Sequence, residues 1–165
     1  MSIINRLFKV FDRFSTAEEV FAHCDIPCGI YDPHLAQLGA HTVIRMTMMI
    51  GALKSADLNE IHQVSRLTKV KEEHAELVKN EIRIIWGDYF KPDHLEKYPE
   101  LHELTFKIMK NASKAKQEVS IEAANELLET VQKFSEIFWK TKGLEAIKMA
   151  APYPSGGEIV LPKQS

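Results

Sequence analysis

The sequence has little cysteine, glycine or proline, and each shortage excludes a class of protein. Two cysteines among 165 residues cannot stitch a disulfide framework. Seven glycines and seven prolines are too few for a turn-rich sheet protein and leave room for long helices. Charge of one sign is not in excess. Twenty-one Lys plus Arg against 23 Asp plus Glu leave a net charge of −2, without the basic surplus of a nucleic-acid binder. No run approaches the ~18 continuous apolar residues of a membrane span; even Ile82 to Trp86 is broken by Arg83. There is no strand-like alternation of note, no internal repeat and no low-complexity tract.

What is present is an ordinary globular mixture, 45% apolar and 27% charged, of a length suited to one domain. Residues 1–22 carry Ile3, Ile4, Leu7, Val10, Phe11 and Phe14 at helical spacing. Asn5, Arg6, Lys9, Asp12 and Arg13 interrupt that pattern, which is unlike the unbroken apolar run of an export signal. The segment reads as an amphipathic leader, and an ordinary first helix fits its periodicity equally well. Asp32-Pro33 reads as a helix start, Asp capping and Pro at the first position, with an apolar stripe as far as about Lys54. Asp57 followed by Glu60 opens a second helix that ends near Gly87. A third runs from about Pro99 to Lys114, and Ser120 opens a fourth that stops near Gly143. The predicted fold class is all-α, an antiparallel four-helix bundle. Residues 143–165 read as a tail, mobile or docked coil from Pro152 onward, whose Ile159-Val160-Leu161 offers an apolar surface to a neighbouring subunit.

Chemistry concentrates in residues 23–33, His23-Cys24-Asp25-Ile26-Pro27-Cys28-Gly29-Ile30-Tyr31-Asp32-Pro33. Two soft thiolates and an imidazole suit a late first-row metal, and a planar arrangement suits nickel(II) or copper(II). Pro27 disfavours a straight helix between the two sulfurs. A cut between Ala22 and His23 gives His23 a free α-amine, which with the Cys24 amide nitrogen closes a five-membered chelate ring. By spacing alone, two cysteines four apart also fit a local disulfide, two buried thiols or half of a zinc site, although no further Cys or His pair completes the last.

The eleven-residue string resembles the hook of the nickel-dependent superoxide dismutases, His-Cys-Asp-X-Pro-Cys-Gly-X-Tyr-Asp-Pro, at every fixed position. The similarity continues through Lys71-Glu72, Ala75-Glu76-Leu77 and Trp86-Gly87-Asp88-Tyr89-Phe90-Lys91-Pro92. It extends to the stretch from His94 to His102 and to Ile137-Phe138-Trp139-Lys140-Thr141-Lys142, covering about residues 23–142. The resemblance implies a four-helix-bundle homohexamer in the bacterial cytoplasm, matured by a dedicated peptidase that removes residues 1–22. It implies one nickel ion per subunit held by His23, Cys24 and Cys28, cycling between Ni(II) and Ni(III) while superoxide is disproportionated. On that resemblance the His23 amine, the Cys24 amide and both thiolates would form the plane, with the His23 imidazole axial in the oxidised state. Tyr31 and Tyr89 would then guard the open face, Asp25 would orient the hook through backbone contacts and Lys91 would attract the anion. Packing tyrosines, turn capping and a solvated lysine are the bland readings of those residues. The family commonly has a carboxylate where Gly39 stands and an arginine where His74 stands, so whatever orients the axial imidazole differs here, with His74 or His41 as substitutes. The expected partners are superoxide and further copies of the chain, with no nucleic acid and no membrane. A nickel or copper carrier without turnover, and a Cys24/Cys28 thiol–disulfide switch, remain the alternatives.

Overall fold

The computed structural model describes residues 29–55 and 57–163. The 1–22 leader, and with it His23, Cys24, Asp25 and Cys28 of the hook, lies outside the described residues. The described chain is mostly helical. It comprises α1 (His34–Gly51), α2 (Leu58–Ile84), a π-helical turn (Ile85–Tyr89), α3 (Pro92–Lys97), α4 (Leu101–Gln117), α5 (Ile121–Thr141) and strands β1 (Ala146–Ala150) and β2 (Glu158–Pro162).

Local chemistry sets the helix ends. Asp32 accepts from the His34 amide at 2.7 Å, so α1 starts one residue later than a Pro33 first position predicts. At α2 the Asp57 carboxylate accepts from Glu60 N at 2.9 Å. Glu60 turns back to the amides of Lys54 and Ser55 instead of Asp57, so the capping box is only half formed. Ser120 caps α5 by accepting from Ala123 N at 3.1 Å. Gly143, at φ +73, takes the left-handed position just past the end of α5.

Packing follows the apolar stripes. α1 lies against α2 and α5, and α4 lies against α2 and α5. The seams are filled by Ala36, Ala40 and Val43 of α1, Ala75, Val78 and Ile82 of α2, Ile108 and Ala112 of α4, and Leu127, Val131, Phe134 and Phe138 of α5, all fully buried. Lys71, 2% exposed, serves as the end cap of α4. Its ammonium donates to the carbonyls of Ala115 at 2.8 Å, Lys116 at 3.3 Å and Glu118 at 2.5 Å. These are carbonyls at the end of the helix, where the intrahelical ladder runs out of donors. Burial lowers the Lys71 pKa below its ordinary value.

The C-terminal segment corrects the sequence reading. It is docked, but as a two-stranded antiparallel hairpin with Ala146 opposite Pro162 and Ala150 opposite Glu158, not as coil. Ile159 and Val160 are buried in their own chain, so they are not an open surface for a neighbour. The Gln37 amide bonds Val160 in both directions, Nε2 to its carbonyl at 2.9 Å and Oε1 from its N–H at 2.7 Å. Gln132 Nε2 donates to the Glu158 carbonyl at 2.6 Å. Helix side chains thus finish hydrogen bonds that a five-residue strand cannot complete with one neighbour. No alternation inside the strand announces such a partner.

Candidate metal centre

The described chain begins at Gly29, with φ +72, directly after Cys28. Tyr31 follows and packs on the core beside the start of α1. Its ring lies 5.6 Å from that of Tyr89, tilted by 51°. Tyr89 reaches this place through the π-helical turn. One extra residue in that turn, closed by Phe90 N to Ile85 O at 3.3 Å, ends α2 and rotates the residues after Ile84 relative to a continuing α-helix. A helix ending simply at Gly87, as periodicity suggests, does not aim Tyr89 this way.

Tyr89 is held from several sides. Phe138 of α5 lies 4.8 Å away between ring centroids, and His94 of α3 stacks at 5.6 Å and 23°. The Tyr89 hydroxyl meets Thr141 Oγ1 at 2.9 Å. The Lys142 ammonium stands 5.1 Å from the Tyr89 ring centroid and 5.2 Å from that of Phe138. A cation over two aromatic faces is attracted by their quadrupoles and leaves a positive charge beside the tyrosine pair. Lys91 is exposed two residues beyond Tyr89, and its main-chain N–H donates to His94 Nδ1 at 3.2 Å. Tyr31 also lines a cavity of about 490 Å³, together with Ile30, His34, Leu35, Glu81 and Ile85, among others. Trp139, 8% exposed, keeps its indole N–H buried without a partner among the described residues.

The two departures in sequence are neighbours in space. A Cβ on Gly39 would stand 3.1 Å from the His74 carbonyl oxygen and 2.9 Å from Val78 Cγ2. α1 and α2 therefore approach more closely than a side chain at position 39 permits. His74 turns its Nδ1–H onto the Val70 carbonyl of its own helix at 2.8 Å, which leaves Nε2 as its remaining ring nitrogen. His41 is not available to hold another ring. Its Nδ1 pairs with Ser155 Oγ at 2.9 Å, its Nε2 with the Glu158 carbonyl at 3.1 Å, and its ring packs edge-on to Tyr153. Burial holds its pKa below the ordinary value, against the opposing effect of the Glu158 bond.

Of the sequence-derived site residues, the structure brings Tyr31 and Tyr89 together. Thr141, Lys142 and His94 are the surroundings of Tyr89 that sequence reasoning did not single out, although all three lie inside the strings that resemble the family. No helix of the described residues is long and apolar enough to cross a membrane.

A mostly helical chain with a His-Cys-X3-Cys string in sequence just ahead of a tyrosine that pairs with a second one fits the class of small redox metalloproteins. The comparisons are more specific: a profile of the nickel-containing superoxide dismutases matches residues 18–142, and the chain belongs to that family. It is 40% identical over 129 residues to the nickel superoxide dismutase of Streptomyces coelicolor, covering 78% of this chain and 95% of that one. The enzyme of Streptomyces seoulensis is 39% identical with the same coverage. The native nickel superoxide dismutase structure at 1.30 Å superposes with a TM-score of 0.67 at 38% identity, over 73% of this chain and 99% of that one. The hairpin from residue 146 onward lies beyond the residues matched by the family profile.

Proposed function

We infer that residues 23–33 form the nickel hook of a superoxide dismutase, that 1–22 is a leader removed on maturation, that 34–142 is an antiparallel four-helix bundle and that 143–165 is an accessory tail. The observation that carries this reading is the Tyr31–Tyr89 pair, 5.6 Å apart with Lys142 beside it, Tyr31 itself lying three residues along the chain from Cys28. The donor set fits the cofactor: two soft thiolates and a deprotonated amide donate strongly, and an imidazole and, after cleavage at Ala22-His23, an α-amine complete the nitrogen donors. His23, Cys24 and Cys28 would hold the ion, and nickel in that set would supply a one-electron Ni(II)/Ni(III) couple.

The chain's own residues supply the rest. One superoxide gives up an electron and leaves as oxygen; a second takes up one electron and two protons and leaves as hydrogen peroxide. The Lys142 and Lys91 ammonium groups raise the local concentration of the anion. Tyr31 and Tyr89 narrow the approach, so that a small anion and its proton-carrying water enter while bulkier reductants stay away from the thiolates. Asp25 would orient the hook through backbone contacts, with turn capping as the equal alternative. Six copies assemble in the bacterial cytoplasm, and the peptidase acts before the site is complete.

The deciding experiment is intact mass with nickel analysis and superoxide turnover, on protein produced together with its maturation peptidase. The expected result is a chain starting at His23, one nickel per subunit and turnover. Metal without turnover favours a carrier. An uncut, metal-free chain with Cys24 and Cys28 joined favours a thiol–disulfide switch.

A further inference from the structure

We propose that Thr141 is a positioning residue that fixes the direction of the Tyr89 hydroxyl proton, making the Tyr89 oxygen a hydrogen-bond acceptor toward the site. Thr141 Oγ1 lies 2.7 Å from the Phe138 carbonyl and 2.9 Å from the Tyr89 hydroxyl. A carbonyl only accepts, so the 2.7 Å contact is attractive only if the single threonine proton points at it. The threonine oxygen then has only lone pairs left for Tyr89, and Tyr89 must donate. The order is Tyr89 O–H to Thr141 Oγ1, then Thr141 O–H to Phe138 O. The reverse order sets two lone-pair-bearing oxygens against each other at 2.7 Å.

The Phe138 carbonyl lies in the last turn of α5, where ladder partners are scarce. It also accepts from Lys142 N at 3.3 Å, so both lone pairs have a donor and the relay has a fixed end. The ring is fixed as well, between Phe138, Tyr31 and His94. With its proton committed to Thr141, the Tyr89 oxygen aligns a proton-bearing molecule, such as water or protonated product, by accepting from it. It offers superoxide no donated hydrogen bond. Tyr89 is thereby an orienting acceptor and not the source of a proton.

This inference rests on the dismutase reading only for its effect on turnover; the proton order itself stands on the described residues. The test uses Thr141→Val, Thr141→Ser and Tyr89→Phe in the full chain matured with its peptidase. Two readouts are taken: superoxide turnover of the nickel-loaded protein, and the tyrosine 13Cζ resonance of Tyr89, assigned by its loss in Tyr89→Phe, in metal-free protein. Thr141→Val is expected to move the Tyr89 resonance and lower turnover about fivefold, the scale of one net hydrogen bond. Thr141→Ser is expected to restore both. In the Tyr89→Phe background, Thr141→Val is expected to cost nothing further, because its partner is gone. An unmoved resonance in Thr141→Val, no rescue by Thr141→Ser, or an undiminished loss in the Tyr89→Phe background overturns the proposal. Absence of turnover in the wild-type protein sinks the dismutase reading instead and leaves the resonance comparison to decide the proton order alone.

Discussion

Gly39→Ala reverses the usual expectation for a glycine inside a helix. On propensity alone, alanine in the middle of α1 gains about 1 kcal/mol over glycine. Here the added Cβ would sit 2.9 Å from Val78 Cγ2 and 3.1 Å from the His74 carbonyl oxygen. Neither neighbour yields easily. Val78 is fully buried and, being β-branched on a helix, has one strongly preferred rotamer; the carbonyl is part of the α2 backbone. Relief requires the two helices to part by several tenths of an ångström along a seam lined by Ala36, Ala40 and Ala75. Overpacking of this kind costs roughly 1–3 kcal/mol, so the net is a destabilisation of about 1 kcal/mol. For a domain of this size that lowers Tm by about 2–4 °C. Urea denaturation followed by helical circular dichroism measures it. Val78→Ala removes one of the two obstacles, so Gly39→Ala should cost about 1 kcal/mol less in that background. A higher urea midpoint for Gly39→Ala in the otherwise native chain would refute the close approach. The same geometry bears on the site: Gly39→Glu with His74→Arg, which restores the family's acid and arginine, first has to separate α1 from α2.

Cys24→Ser or Cys28→Ser replaces a soft anionic donor by a neutral hydroxyl, so either should abolish nickel-dependent turnover while the far-ultraviolet circular dichroism stays unchanged. One extra residue left ahead of His23 after cleavage should do the same by removing the α-amine from the chelate, with nickel retention on dialysis as the check. Lys71→Met leaves the Ala115, Lys116 and Glu118 carbonyls without their common donor and should lower stability by about 2 kcal/mol in urea. Burial holds the His41 pKa below its ordinary 6.5, so below that pH the unfolded chain binds the proton more readily than the folded one. The stability that neutral His41 contributes is complete above about pH 6.5 and lost as the pH falls, so His41→Asn should flatten the Tm–pH slope between about pH 7 and 5.5.

The helical part of this fold is legible because each helix carries its own signals. Asp57 and Ser120 cap helices at the positions their chemistry requires, and the buried stripe of α5 follows a 3.6-residue period from Ala124 to Phe138. The short α3 escaped because six residues hold too few repeats to show a period. The π-helical turn escaped because one extra residue leaves no compositional mark, yet it decides where Tyr89 points. The family is legible for the opposite reason: its motif sets particular residue types at fixed spacing, so identity carries what periodicity cannot. The surroundings of Tyr89 fall between these cases. Thr141 and Lys142 follow Phe138 in sequence, but only the contact of the C-terminal end of α5 with Tyr89 of the π-helical turn shows that a hydroxyl and an ammonium meet the same ring.

The hairpin beyond the family-matched residues acts on α1 and α5 together. Gln37 and His41 stand one turn apart on α1, both almost fully buried, and Gln132 stands on α5; all three bond β2 or the turn before it. Each is a polar side chain in a helix seam whose partner is the hairpin backbone. Undocking the hairpin would therefore expose Val160 and Ile159 and also strand an amide on each helix and an imidazole on α1. Leaving buried polar groups unpaired costs more than the net worth of the bonds lost. Gln37 is four residues from Pro33, and its N–H donates to the Pro33 carbonyl at 3.2 Å in the first turn of α1. The hairpin therefore braces the first turns of α1, the helix that directly follows Tyr31 in the chain.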